Sequence, residues 1–353
     1  MRNAYIGRVS LKKFNSEPSE YIKSSLVLST LRFTIPALVC SCQSDSFVQE
    51  PIAVRSIEIV QSEFPIRNLD IFMFENGEMM TLDSYQRTHE IHGCEVMTAS
   101  RKGDRLAFLL ANGPWDRKDW MSVNSYEALD KFKADLENEI YRYPIMSGKC
   151  NLHADGMQTV WVEMMNLSSD VTLKSISCDF NGKSYDNEKI TDMKVYLINV
   201  NAQCSITSEW GIMPERIINM GGLNEKDMEA MKEPELLFRN CGDLESGDCM
   251  ETNFRFRCFP NECPDESPGS PFTRLVLEGR INGQIYYWPV DVGRQGNDKQ
   301  EGKGISRNRR YIYDITITGK GGNSPDIPVS SEVMNLRLEV SEWKEKEEYI
   351  IGF

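Results

Sequence analysis

The side chains best able to bind a metal or attack a substrate are three histidines and ten cysteines, and their spacing suits neither task. His89-Glu90-Ile91-His92 puts its histidines at i, i+3, whereas a zinc-binding helix face needs them at i, i+4. His153 has no ligand-type residues clustered beside it. Gly296 and Gly302-Lys303-Gly304 imitate a phosphate loop, but the spacer is one residue too long. Gly304 also stands where a Mg²⁺-binding Ser or Thr belongs, so the stretch reads as a glycine-rich surface loop. Cys258-x4-Cys263 is not a C-x-x-C redox pair, and no G-x-S-x-G elbow occurs. The 53 acidic residues offer so many carboxylate pairs that no glycosidase dyad stands out. No catalytic, metal-binding or cofactor-binding residue is assigned, and a non-catalytic protein without a cofactor is expected.

One cysteine is placed for a different chemistry. Arg2, Arg8, Lys12, Lys13 and Lys23 precede a mostly apolar stretch, 25–41, that ends in Leu38-Val39-Cys40-Ser41-Cys42. Basic residues, an apolar run and a small residue before the cut describe a secretory signal. A cysteine just after the cut is the acceptor of a lipoprotein lipid. Ser41 at −1 and Val39 at −3 favour Cys42 over Cys40 as that acceptor. The long basic region and Arg32 within the apolar run depart from the ideal pattern. Beyond this stretch, no run of about 18 apolar residues could span a membrane. The only membrane contact expected is through the N-terminal lipid.

A net charge of −13 disfavours a nucleic-acid partner, which needs basic surface to displace counterions. In an exported chain the remaining cysteines could pair. Cys241 with Cys249 and Cys258 with Cys263 are the nearest in sequence, but spacing fixes no pairing. Cys178 and Cys204, within apolar runs, read instead as small buried hydrophobes.

The elements that would carry any site are strands. Asn68–Phe74 is followed by an Asn76-Gly77 turn signal, and Leu106–Ala111 is a continuous apolar run suited to a strand buried on both faces. Thr159–Met165, Val171–Phe180, Met193–Val200 and Phe254–Phe259 continue the series. Arg274–Val290 is the clearest hairpin, folded at Asn282-Gly283 with the positive φ angles of a type I′ turn. In Tyr311–Thr318, Tyr311, Tyr313, Ile315 and Ile317 share one face. Asn124 with Glu127 forms a capping box that predicts a helix through Leu129, Phe132 and Leu136. A second helix is expected over 224–232, stopped by Pro234, with Met228 and Met231 as core contacts. The 353 residues allow about two domains. A polar break at Ser168-Ser169-Asp170 divides them.

The order of four segments resembles the fimbrillin family of Bacteroidales pili (type V pili). They are Asn68–Met79 (NLDIFMFENGEM), Gly103–Pro114 (GDRLAFLLANGP), 130–148 ending in Pro144-Ile145-Met146-Ser147-Gly148, and Arg309–Thr318 (RRYIYDITIT) with the Pro325–Pro328 turn, Val340–Trp343 and a final Phe353. The resemblance implies an all-β chain of two transthyretin-like Greek-key β-sandwiches with one or two short helices. The expected organisation is a signal peptide over 1–42, a processed leader or tether over 43–55, and sandwiches over 56–168 and 169–353. A donor-strand segment, 334–353, closes the second sandwich.

The same resemblance implies a lipid-anchored precursor in the outer membrane, cut after an arginine by a trypsin-like protease. The cut releases a strand, and the C-terminal segment of another subunit then fills the open groove. Arg55 is the expected cut site and Arg67, directly before the strand NLDIFMF, the runner-up. Leu336, Leu338, Val340, Trp343, Tyr349, Ile351 and Phe353 are candidate donor knobs, or else residues of ordinary last strands. Partners would be other copies or related subunits in a surface fimbrium serving adhesion. If neither arginine is cut, the chain could be the uncleaved anchor subunit. The competing reading is a lipid-anchored glycan-binding protein, which would show Tyr286, Tyr287 and Trp288 as an exposed aromatic row. A buried row with a loosely held C-terminal strand would favour the pilus subunit.

Overall fold

The computed structural model describes residues 52–60, 64–89, 95–153, 159–294, 304–330 and 332–342. The architecture is an all-β sandwich fold with two short α-helices. The first half carries β1 (Ile52–Val60), β2 (Asn68–Glu75), β3 (Leu82–His89), β4 (Glu95–Arg101) and β5 (Arg105–Ala111). It continues with α1 (Tyr126–Asp130), β6 (Lys133–Asp135), β7 (Met146–Leu152), β8 (Thr159–Glu163) and β9 (Met165–Asn166). A three-stranded sheet, β4-β1-β8, faces a five-stranded one, β3-β2-β5-β7-β9. Between them lie Ile57, Ile59, Val96 and Val162 from the first sheet and Leu69, Ile71, Met73, Ala107 and Leu109 from the second. The other face of β2 and β5 buries Phe72, Phe74, Phe108 and Leu110 in a larger core. That double coverage is why NLDIFMF and LAFLLA read as continuous apolar runs instead of alternating ones.

The second half carries β10 (Ser169–Cys178), β11 (Ile190–Ile198), β12 (Val200–Asn201), β13 (Gln203–Ser205), β14 (Ile217–Ile218) and α2 (Glu225–Ala230). Then come β15 (Phe238–Leu244), β16 (Cys249–Cys258), β17 (Arg274–Ile281), β18 (Gln284–Asp291), β19 (Arg309–Ile317) and β20 (Met334–Glu342). Two four-stranded sheets, β16-β10-β19-β20 and β15-β11-β17-β18, are formed. Val171, Leu173, Phe256, Tyr313 and Ile315 of one pack in the same core as Val195, Leu197, Leu277 and Trp288 of the other. Asn282 and Gly283 have φ of 53° and 80°, and the β17–β18 hairpin pairs in full register around them.

Two local expectations are corrected. The helix at 124–136 is cut to five residues. Its cap is Ser125, whose Oγ accepts from the Ala128 N–H at 3.2 Å. Lys133–Asp135 leaves the helix to pair with β13, and the Leu136 N–H donates to Ala202. Leu129 and Leu136 are still buried, Leu129 on α1 and Leu136 in a 3-10 turn that follows β6 instead of on one continuous helix face. The second correction concerns Asn76-Gly77, which does not make a two-residue turn. The positive φ falls on Met80 at 40°, and the loop is tied to the segment before α1. There Leu82 donates to Asn124 O and Tyr126 donates to Met80 O. The second helix forms as expected, capped by Asn224 Oδ1 on the Lys226 N–H, with Met228 and Met231 packed in the core.

Two further links join residues before 168 to residues after it. Besides the β6–β13 pairing, the buried Arg307 donates to the carbonyls of Met165, Asn166 and Ser208 at 2.9–3.0 Å and to Ser147 Oγ at 2.8 Å. Glu139 and Arg257 form a buried ion pair. The seven described cysteines are free thiols. Cys178 and Cys204 are buried small hydrophobes whose thiols are pushed up to about 12 by burial.

Candidate functional site: the first strand and its groove

β1 holds a sheet together that has no other pairing. It runs antiparallel to β4, from Ile52↔Arg101 to Glu58↔Glu95. On its other side it runs parallel to β8, from Ser56↔Thr159 to Val60↔Glu163. Among the described residues, neither β4 nor β8 has another strand partner in the sheet order. Lifting β1 out would leave a slot between two strands, with unpaired backbone groups on both walls. The floor of that slot is the apolar inner face of the five-stranded sheet.

The segment IAVRSIEIV alternates as a one-sided strand should. Arg55, Ile57 and Ile59 point inward and are buried, while Val54 and Val60 are exposed. That alternation was the signal available for β1 in the sequence. The arginine in its inward row breaks the apolar pattern, so the first residues of the strand fall within the expected leader. β1 runs across the expected 55/56 boundary.

The two candidate cut sites differ in placement. Arg55 lies mid-strand, paired with Thr98, only 3% exposed, and its guanidinium donates to the Gly103 carbonyl. Arg67 lies between β1 and β2 with its side chain exposed. Its N–H donates to Asn112 Oδ1 at 2.8 Å, and its guanidinium sits 5.2 Å from the Tyr143 ring centroid. A protease needs an extended segment it can pull into its cleft, which an exposed connection provides and a paired central strand does not.

Of the candidate donor residues, Leu336, Leu338 and Val340 lie on β20 and pack half-buried against the core. β20 is an edge strand. It is held along its whole length, from Arg309↔Glu342 to Ile317↔Met334, so it is not loose in this state. Trp343, Tyr349, Ile351, Phe353 and Cys42 lie outside the described residues. The aromatic row on β18 is no groove. Trp288 is fully buried and its Nε1 donates to the Gly319 carbonyl at 2.9 Å. Tyr286 and Tyr287 are half-buried and pack against different cores.

No family model matches the chain, and no curated protein matches it. Solved structures do. A candidate cell adhesion protein from Bacteroides eggerthii superposes with a TM-score of 0.63 at 15% identity, covering 82% of this chain and 96% of its own. A fimbrilin from Porphyromonas gingivalis gives 0.61 at 16% identity, covering 82% and 97%. A candidate cell adhesion protein from Parabacteroides distasonis gives 0.60 at 14% identity, covering 83% and 100%. At these identities the likeness is one of fold, and the fold is fimbrillin-like.

Proposed function

We propose that this chain uses its fimbrillin-like fold as a non-catalytic structural subunit of a cell-surface pilus, with β1 as a removable plug. A cut after Arg67 would free β1 together with everything before it. The slot between β4 and β8 would then accept a strand from another copy or a related subunit. The row Leu336, Leu338, Val340 has the alternation that such a slot requires, and the 343–353 residues extend it. We read 56–168 and 169–353 as the two bodies of the subunit, and Cys42 as the lipid attachment that would hold the precursor at the outer membrane before the cut.

One observation carries the reading: the central strand of the three-stranded sheet is contributed by the segment just N-terminal to an exposed arginine. A cut at Arg55 would leave half of that strand in place, so Arg67 is favoured over Arg55. The glycan-binding alternative has no comparable support, since its aromatic row is divided between two faces and partly buried. The experiment is brief trypsin treatment of chain lacking residues 1–42, with the new N-terminus read by mass spectrometry and size followed by light scattering. A first cut after Arg67 followed by polymer growth supports the proposal. A chain cut there that stays monomeric sinks it.

A further inference from the structure

We infer that Arg55 makes β1 a weak occupant of its own groove, so that a strand with an apolar residue at that position displaces it. The purpose rests on the plug reading above; the weakness itself rests on the side chains alone. The inward row of β1 is Arg55, Ile57 and Ile59. Nη2 of Arg55 donates to the Gly103 carbonyl, while Nη1 is buried and has no hydrogen-bond partner among the described residues.

The surrounding charges do not compensate. Asp83, the buried carboxylate of this corner, already accepts from Arg105 Nε at 3.2 Å and from the Arg101 N–H at 2.8 Å. Its other oxygen faces Arg101 Nε at 3.3 Å. Asp104 faces His153 at 3.7 Å. Burial and the like charge of Arg105 pull the Arg55 guanidinium below its ordinary pKa, against the weaker pull of Asp104 and Asp83.

A guanidinium with part of its fork unmatched is expensive to bury and recovers full hydration in water. That penalty falls only on the state with β1 seated, because Arg55 departs with the strand. The row Leu336, Leu338, Val340 carries no charge and would bring no such penalty to the slot. Asp83 and Arg105 stay behind with their own contacts, and the Gly103 carbonyl is freed to accept from water.

The test is amide hydrogen exchange on the intact chain as wild type, Arg55→Leu and Arg55→Met. Both variants should raise protection of the β1 amides about tenfold or more, with β2 and β5 unchanged. Exchange as fast as wild type or faster in both variants would overturn the inference. A second arm cuts the chain after residue 67 and follows release of the β1 peptide by native mass spectrometry. Arg55→Leu should retain the peptide about tenfold longer, and equal release rates would overturn the role of Arg55. A chain that resists cutting after residue 67 in every variant would sink the plug reading, while the exchange data would still decide on Arg55.

Discussion

Glu139 and Arg257 meet at 3.4 Å with neither side chain reaching solvent. The Ser168 hydroxyl donates to the same carboxylate at 2.7 Å. The rings of Phe64 and Tyr141 lie 4.9 and 4.7 Å from the guanidinium. Phe64 belongs to the connection that would leave with β1, so the plug and the join between the two halves share one buried cluster.

Breaking such a pair leaves a buried charge alone, which costs about 3–5 kcal/mol. Glu139→Ala should therefore lower the unfolding free energy from urea titration by an amount in that range. Burial raises the Glu139 pKa above the usual carboxylate range, against the opposing pull of Arg257. The native state then takes up this proton at a higher pH than the unfolded chain does, so the contribution of Glu139 grows as the pH falls. The deficit of Glu139→Ala should widen from neutral pH toward about 4, the ordinary carboxylate range. A deficit that narrows on acidification would contradict that sign.

The placement of the two arginines predicts a protease map. Arg67→Gln should remove the earliest trypsin fragment of the native protein, while Arg55→Gln should leave that fragment in place. Timed digests read by mass spectrometry distinguish them. An early cut at residue 55 in native protein would show that β1 opens far more readily than its pairing implies.

The donor role predicts an uncoupling of cutting from growth. Leu338→Asp puts a charge in the middle of the apolar row. Losing one buried leucine contact is worth about 2 kcal/mol, so polymer growth should slow at least tenfold while the cut proceeds as before. Light scattering after trypsin measures it. Unchanged growth would assign β20 to the core of its own sandwich only.

Arg307 predicts a different kind of loss. Its guanidinium donates to backbone carbonyls from both halves of the chain. Arg307→Met removes those donors and keeps most of the bulk. Several buried carbonyls losing a charged donor should cost about 3 kcal/mol or more, visible in chemical denaturation. A loss below about 1 kcal/mol would mean that water replaces the donors.

Two glycines make a paired test of turn chemistry. Gly283 has φ of 80°, so Gly283→Ala should cost about 1 kcal/mol. Gly77 is outside the positive-φ set, and a Cβ there meets no atom within 4 Å. Gly77→Ala should be neutral within about 0.5 kcal/mol. Thermal melts of the two variants compare them directly.

Both turns carry the same Asn-Gly pair, and that contrast marks where local reading stops. At Asn282-Gly283 the two flanking strands pair with each other in register up to the turn, so dipeptide chemistry decides it. At Asn76-Gly77 the loop is captured by hydrogen bonds from the segment before α1, nearly fifty residues away. The same capture ended the helix at Asp130: β13 supplied Lys133–Asp135 with a partner that helical spacing cannot reveal.

By itself the sequence determined the all-β character, most strand positions, the second helix and the β17–β18 hairpin. All of these follow from side-chain alternation and turn residues within a few positions of one another. Only the tertiary structure decided that Ile52–Val60 is the central strand of a sheet, that Arg55 is sealed inside while Arg67 is exposed, and that β20 is held at an edge. Alternation reports that one face of a strand is covered, not which residues cover it. For β1 the face is covered by β2 and β5 of the five-stranded sheet, and its edges are paired by β4 and by β8, the latter about a hundred residues along the chain (Ser56↔Thr159). Only the closing of those long loops brings them together.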